Sequence, residues 1–251
     1  MRIVTLNTWK NEGQYERRLA LMAKGLGELA PDVVCLQECF QADGFDTARH
    51  LADTLRLDAA VAAARHKLRA HQGRRIESAS GLAILRRNGA LASGRLALPS
   101  DPADGERIGQ WADVAPGLRV LNLHLTHLSG PQAASLRKAQ LERAMSAARR
   151  PGCGLLVAGD LNATAQAPEL APIAATLDPQ APRPSRVNLQ ALAPRHPSRS
   201  TMWPWCRRDA GGSSAASAPS TCPILRAGFR LITPPSSPTS SGSEPVALSG
   251  R

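Results

Sequence analysis

The stretch Gly154-Leu155-Leu156-Val157-Ala158-Gly159-Asp160-Leu161-Asn162-Ala163 decides the fold of this 251-residue chain. An apolar run delivers a carboxylate and a carboxamide, two residues apart, to the end of a strand. Side chains alternate with period two along an extended chain, so Asp160 and Asn162 leave it on the same side. Two polar groups leaving a buried strand together are costly unless they have partners or work to do. A strand running into an Asx turn would show the same pair, so the reading depends on the rest of the chain.

Three other segments end in the same way. Met1-Arg2-Ile3-Val4-Thr5-Leu6-Asn7-Thr8-Trp9 is an alternating strand ending on the carboxamide Asn7. Pro31-Asp32-Val33-Val34-Cys35-Leu36-Gln37-Glu38-Cys39 reads as a buried strand ending on the carboxylate Glu38. Arg119-Val120-Leu121-Asn122-Leu123-His124-Leu125 finishes an apolar strand with the imidazole of His124. A lone Glu or His at a strand end usually caps the strand or faces solvent. Asn7, Glu38, His124, Asp160 and Asn162 share one structural address, which makes them the candidate site.

In order and spacing this set resembles the endonuclease/exonuclease/phosphatase superfamily of metal-dependent phosphoesterases. The resemblance is carried by Asn7, by Gln37-Glu38, by Asn122-Leu123-His124-Leu125 as an Asn-x-His-Leu motif, and by Gly159-Asp160-Leu161-Asn162 as Gly-Asp-x-Asn. Gly81-Leu82-Ala83-Ile84-Leu85 resembles the family's central strand and Arg137-Lys138-Ala139-Gln140-Leu141 the helix after the His motif. It covers residues 1 to 180. It implies that Asn7 and Gln37-Glu38 build a divalent-metal site for Mg2+ or Mn2+, and that His124 contacts the scissile phosphate. The implied fold is α/β, a four-layer sandwich of two packed mixed sheets flanked by helices.

The chemistry asks for these residue types. Phosphodiester hydrolysis builds negative charge on the phosphoryl and leaving oxygens, which a hard cation held by few protein oxygens stabilises. Glu38 is the first-choice ligand and Asn7 the second. His124 and Asn162 can donate to the phosphoryl oxygens, and Asp160 can accept from the attacking water and orient it. Nucleic acids, phospholipids and sugar or inositol phosphates are all substrates on this scaffold, so the resemblance names a phosphoester and no more. A catalytically inert phosphate- or metal-binding module is the alternative from another class.

The C-terminal third departs from the pattern. Family members end with an Ile-Asp-His or Ile-Asp-Tyr strand and then a Ser-Asp-His strand, and neither occurs here. Residues 196 to 251 carry twelve Ser and eight Pro, a composition that cannot bury enough apolar surface to offset chain entropy. Reading each codon from its third base gives a different result. Across Ser200-Thr201-Met202-Trp203-Pro204-Trp205-Cys206 that frame permits Asp-(His or Tyr)-Val-Ala-aliphatic-Val, and Met and Trp, with single codons, force the Val, Ala and final Val. Across Arg230 to Ser240 it permits Ser-Asp-His-Pro-Ala-Val-Val-Ala-Asp-Leu. The expectation is a domain at residues 1 to 185, with a second sheet lacking its last strands, followed by a frameshifted tail at 186 to 251. The shift falls between Ala175 and Leu192, and turnover is impaired because the Asp-His pair is missing.

Composition is reread in that light. The net charge is +11, which ordinarily suggests a polyanionic partner. Residues 1 to 185 hold 23 Lys plus Arg against 18 Asp plus Glu, whereas residues 186 to 251 hold 8 against 2. More than half of the excess therefore sits in the tail, and charge does not establish nucleic-acid binding. Arg65, Lys67 and Arg69, like Arg74-Arg75, read as solvated surface able to meet phosphate. Five cysteines without framework spacing argue against a disulfide scaffold. With no spanning apolar run and no hydrophobic leader before the first strand, the expectation is a cytoplasmic monomer.

Periodicity predicts strands near 2 to 8, 32 to 38, 58 to 64, 81 to 86, 108 to 114, 119 to 125 and 154 to 160. Helices are expected near 14 to 29, 46 to 56 and 131 to 149. Ala134, Leu141, Met145 and Ala148 form the stripe of the last, and Met22 and Met145 read as core.

Overall fold

Strands of two kinds shape the molecule: continuous apolar runs that are buried on both faces, and shorter alternating ones at the rims. A computed structural model describes residues 1–87 and 92–174. The tail at 186 to 251, the shift point between 175 and 192 and both alternative-frame strands lie outside the described residues. The first sheet contains β1 (Ile3–Asn7), β2 (Val33–Ala42), β3 (Phe45–Asp46), β4 (Asp58–Ala62), β5 (Lys67–His71) and β6 (Arg74–Arg86). The second contains β7 (Ser93–Ala97), β8 (Ile108–Ala115), β9 (Leu118–His124) and β10 (Gly154–Asp160). Both are mixed: β1 runs parallel to β2 and β10 parallel to β9, while the remaining pairs are antiparallel.

Four layers follow from where the apolar faces go. Helices α1 (Tyr15–Leu29) and α2 (Thr47–Leu55) cover the outer face of the first sheet, packing Leu19, Met22, Leu26 and Leu51 on Val34, Leu36 and Leu85. Val33, Cys35 and Ile84 of that sheet meet Ala112, Val120, Leu156 and Ala158 of the second. Helix α3 (Pro131–Ala148) closes the other side with Leu141, Ala144, Met145 and Ala148 against Leu121, Leu123, Leu155 and Val157. A short 3₁₀ turn at Pro168–Leu170 and α4 (Ala171–Ala174) complete that layer. The α/β sandwich expected from the sequence is the fold observed, with four strands in the second sheet among the described residues.

Differences from the expectation have local causes. β2 does not end at Glu38 but continues to Ala42 because it pairs with β6 as far as Ser78, and β6 begins at Arg74, well before 81, because its first part forms a hairpin with β5. β3, β5 and β7 are short or mostly exposed, so no apolar period announces them. On α3 the buried stripe includes Ala133, Arg137 and Gln140, while Ala134 is only partly buried. Arg137 and Gln140 are polar residues on a core-facing helix face, and what they bind appears below. No helix among the described residues is long and apolar enough to cross a membrane.

Candidate active site

Strand register sets the second-sheet half of the site. In the parallel pair β9–β10, His124 lies opposite Asp160 and Leu123 opposite Gly159. Gly159 adopts φ +136°, and a Cβ there would lie 1.9 Å from the Leu123 carbonyl oxygen. Only glycine lets the two strands approach this closely, which is the physical reason for the Gly in Gly-Asp-x-Asn. Past the ladder, Leu125 N–H donates to Asp160 O at 3.0 Å, and Asn162 Nδ2 donates to Leu125 O at 2.9 Å. Asn162 takes a left-handed φ of 50°, and its N–H donates to Asp160 Oδ1 at 3.1 Å. The Asx turn and the site are thus one structure. Asn162 does not leave on the same face by simple alternation, as the strand period predicted, because the strand ends at Asp160 and the chain turns.

A β-bulge sets the first-sheet half. Along β2 the pairing with β6 is regular to Gln37↔Leu82 and resumes at Cys39↔Gly81, so Glu38 is the extra residue, with φ 56°. A bulge re-aims side chains: Cys39 packs on the helix-covered face with Leu36, while Glu38 faces inward toward the second sheet. Opposite the bulge, a Cβ at Gly81 would lie 2.0 Å from Ala62 O, so the glycine lets the end of β4 approach β6 closely on its other side. Asn7 ends β1 beside Gln37. Beyond it Trp9 and Lys10 are both left-handed, at φ 54° and 48°, and Lys10 N–H donates to Glu38 O at 3.1 Å. Arg18 of α1 holds this turn by donating to the carbonyls of Thr8, Lys10 and Glu12 at 2.6, 3.0 and 3.0 Å.

The halves meet edge to edge. Asn7 Nδ2 donates to Asp160 Oδ2 at 3.0 Å, and His124 Nε2 lies 3.9 Å from Glu38 Oε1 and 4.0 Å from Asp160 Oδ2. The sandwich brings Asn7, Glu38, His124 and Asp160 together, with Asn162 attached through Asp160. Two buried carboxamides fasten the sheets beneath them. Gln37 Nε2 donates to Asn122 Oδ1 at 2.8 Å, and Asn122 Nδ2 donates to Leu36 O and Ala83 O at 2.9 and 3.0 Å. Gln37, which the resemblance assigned to the metal site, therefore spends its side chain as an inter-sheet strut.

A buried polar network supports His124 from behind. Arg107 donates to His124 O at 3.2 Å and binds both oxygens of Asp104, which is also 2.7 Å from His127 Nδ1. Burial pushes the Asp104 carboxyl up, but the hydrogen bonds from Arg107 and Thr126 and the nearby positive charges outweigh it and hold it down at about 2. Gln140 Oε1 accepts from Thr126 N–H at 2.9 Å, while Arg137 donates to Leu128 O at 3.0 Å and pairs with Glu169. The two polar residues on the buried face of α3 thus fix the loop that follows His124. Burial first, then the charge of Arg107, press the His124 imidazole down to about 3, so it is neutral at physiological pH.

The profile of the endonuclease/exonuclease/phosphatase family matches residues 4–214. The chain belongs to that family. No curated protein matches it. Among solved structures, a functionally unknown conserved protein from Enterococcus faecalis is 20% identical, with 71% of this chain and 73% of that one covered and a TM-score of 0.51. The human Nocturnin catalytic domain is 19% identical over 69% and 68%, also with a TM-score of 0.51. A Beutenbergia cavernae endonuclease/exonuclease/phosphatase protein is 21% identical over 59% of this chain, which spans only 43% of that protein's length, with a TM-score of 0.49. At these identities the likeness is one of fold.

As a family member the chain falls among phosphoesterases that generally use divalent metal. Among the described residues, no cluster of three or more His, Cys, Asp or Glu is arranged to hold an ion. The donor set nevertheless fits a hard cation that keeps most of its water. Glu38 Oε2 is buried and accepts no hydrogen bond; Lys10 Nζ lies 3.4 Å away, close enough for an ion pair but without hydrogen-bond geometry. Asn7 Oδ1 accepts from Trp9 N–H at 2.9 Å and keeps a second lone pair. Sequence reasoning missed Lys10, Asp104 and Arg107. Lys10 stands at no strand end, and the others lie in a turn and in the loop just before β8, where no period marks them.

Proposed function

We propose that this chain is a phosphoester hydrolase working with Mg2+ or Mn2+, with Glu38 as principal ligand and Asn7 as the second. What supports this most is the buried Oε2 of Glu38, which accepts no hydrogen bond and is presented by a bulge beside His124 and Asp160. A cation bound there supplies Lewis-acid stabilisation of phosphoryl charge. His124, kept neutral by burial, donates one N–H to a phosphoryl oxygen where negative charge develops. Asp160 accepts from the attacking water and aims it, while Asn7 Nδ2 and the Asn162 N–H hold its two oxygens in place. Asn162 Nδ2 spends one hydrogen on Leu125 O and offers the second to the phosphoryl group. The Nocturnin catalytic domain, which shares this fold, is solved with a bound sulfate anion.

The substrate is a phosphoester of nucleic acid, phospholipid or sugar phosphate. As written, the chain turns over slowly because residues 186 to 251 lack the family's Asp-His pair, and that tail is read as a frameshift product. The test uses bis-p-nitrophenyl phosphate with Mg2+, on the chain as written, on its Glu38→Gln variant, and on a gene with one base inserted near the Val187 codon, which brings each third base into the first codon position. The restored frame should raise activity roughly 10²–10⁴-fold, the usual worth of a positioned acid-base group, and Glu38→Gln should remove it. A restored protein that folds and binds Mg2+ but hydrolyses no phosphoester would instead be an inert binding module.

A further inference from the structure

Arg65 follows β4 and precedes β5, and it lines the same cleft between the sheets as Glu38, His124 and Arg107, floored by Gly81 and Ile108. Among the described residues its guanidinium has no hydrogen-bond acceptor; the one carboxylate oxygen within reach is Asp104 Oδ1, at 4.0 Å. That carboxylate is already spent on Arg107 and His127. The other acids around the cleft are also engaged. Glu106 pairs with Arg95 and accepts the Arg65 backbone N–H, and Glu38 faces Lys10 and His124. Burial and the neighbouring charge of Arg107 press the Arg65 guanidinium down, and the carboxylates of Asp104 and Glu38 offset this only in part.

The backbone around Arg65 is built to hold it there. Its φ of 54° is left-handed, a conformation that costs a non-glycine residue free energy. Its N–H donates to Glu106 Oε2 at 3.1 Å, and its carbonyl accepts from Arg69 Nη2 at 3.1 Å. Arg69 is itself buried and anchored to the hydroxyls of Ser78 and Ser80 at 2.8 Å each. Arg69, which the sequence suggested as solvated surface, is thus a buried brace for Arg65. A strained, doubly pinned residue carrying a five-donor planar cation into a cleft suits an oxygen-rich anion, the partner the guanidinium fork matches best.

We propose that Arg65 is the substrate-anchoring cation of the site, binding the non-bridging oxygens of a phosphate group in the cleft beside Glu38 and His124. The proposal rests on the hydrolase reading and names the residue that holds its substrate. The probe is inorganic phosphate, titrated by calorimetry into the full chain and its Arg65→Gln, Arg65→Lys and Arg75→Gln variants. Arg75 is exposed on β6, outside the cleft. Arg65→Gln should weaken phosphate binding about ten-fold or more, the worth of a charge-assisted hydrogen-bond pair. Arg65→Lys keeps the charge but loses the fork and should fall between, while Arg75→Gln should bind as the parent does. Circular dichroism melts identify any variant that fails to fold, in which case Arg65→Lys decides: a lysine variant that folds and binds as tightly as the parent overturns the proposal. So does an Arg65→Gln protein that binds within two-fold of the parent, an Arg75→Gln protein that weakens equally, or a parent chain that binds no phosphate. Because binding needs no turnover, Arg65-dependent phosphate binding without Mg2+-dependent hydrolysis in any form sinks the hydrolase reading alone.

Discussion

His124 and Asp160 sit opposite each other in an unbroken parallel ladder, whereas Glu38 and Lys10 sit where the first sheet's pairing is interrupted and the backbone turns left-handed. In the second sheet, position follows from register: once β9 and β10 pair, both side chains are placed by the pleat, and one glycine permits the approach. In the first sheet, position follows from strain, and an inserted residue, two left-handed positions and the Arg18 clamp must all be held by the surrounding structure. Placing the single carboxylate of Glu38 therefore takes more architecture than placing the His124–Asp160 pair.

The sharpest way to break this contrast is at Gly159. Gly159→Ala places a Cβ against the Leu123 carbonyl, and the ladder has no slack, so stability should fall by about 4 kcal/mol or more, as for overpacking combined with backbone strain. A urea melt close to that of the parent would show that the register tolerates a side chain and that the glycine is not what sets the second-sheet half.

Next comes the network behind His124. Asp104→Asn leaves Arg107 buried without its carboxylate and should cost about 3–5 kcal/mol, the range for breaking one partner of a buried ion pair. The pH dependence has a definite sign. Because the folded carboxyl is held at about 2, below its ordinary value, its contribution is complete above about pH 4 and disappears as the pH falls toward 2. Acid denaturation should therefore be steeper over that window in the parent than in Asp104→Asn; parallel curves would refute the assignment.

The smallest effect separates strain from function at the bulge. Glu38→Gly and Glu38→Ala both remove the carboxylate, and each should lower Mg2+ affinity at least several-fold by calorimetry. Only glycine relieves the left-handed φ, so the Gly variant should be about 1 kcal/mol more stable than the Ala variant. The reverse order would mean that the bulge is not strained at this position.

Much of this was legible in the chain. The apolar runs of β1, β2, β9 and β10 identified the buried strands, and the polar residues at their ends named Asn7, Glu38, His124 and Asp160, which the sandwich brings together. What the period could not show was that β2 runs on past Glu38, since a bulge residue carries no sequence mark beyond its neighbours. Nor could it show that Arg137 and Gln140 face inward, because buried polar groups satisfied by distant loop carbonyls look like surface until the loop is folded onto them. Arg69 was misread for the same reason: its partners, Ser78 and Ser80, lie across a hairpin.

By itself the sequence determined the family, the α/β layering and the strand ends that carry His124 and Asp160, because strand alternation and a glycine at a close approach are local properties. The tertiary structure alone decided that Gln37 and Asn122 are struts, that Glu38 is aimed inward by a bulge, and that Arg65 enters the cleft without a hydrogen-bond acceptor. The struts depend on two sheets meeting face to face, and contacts between residues 39 to 86 positions apart leave no period in the chain.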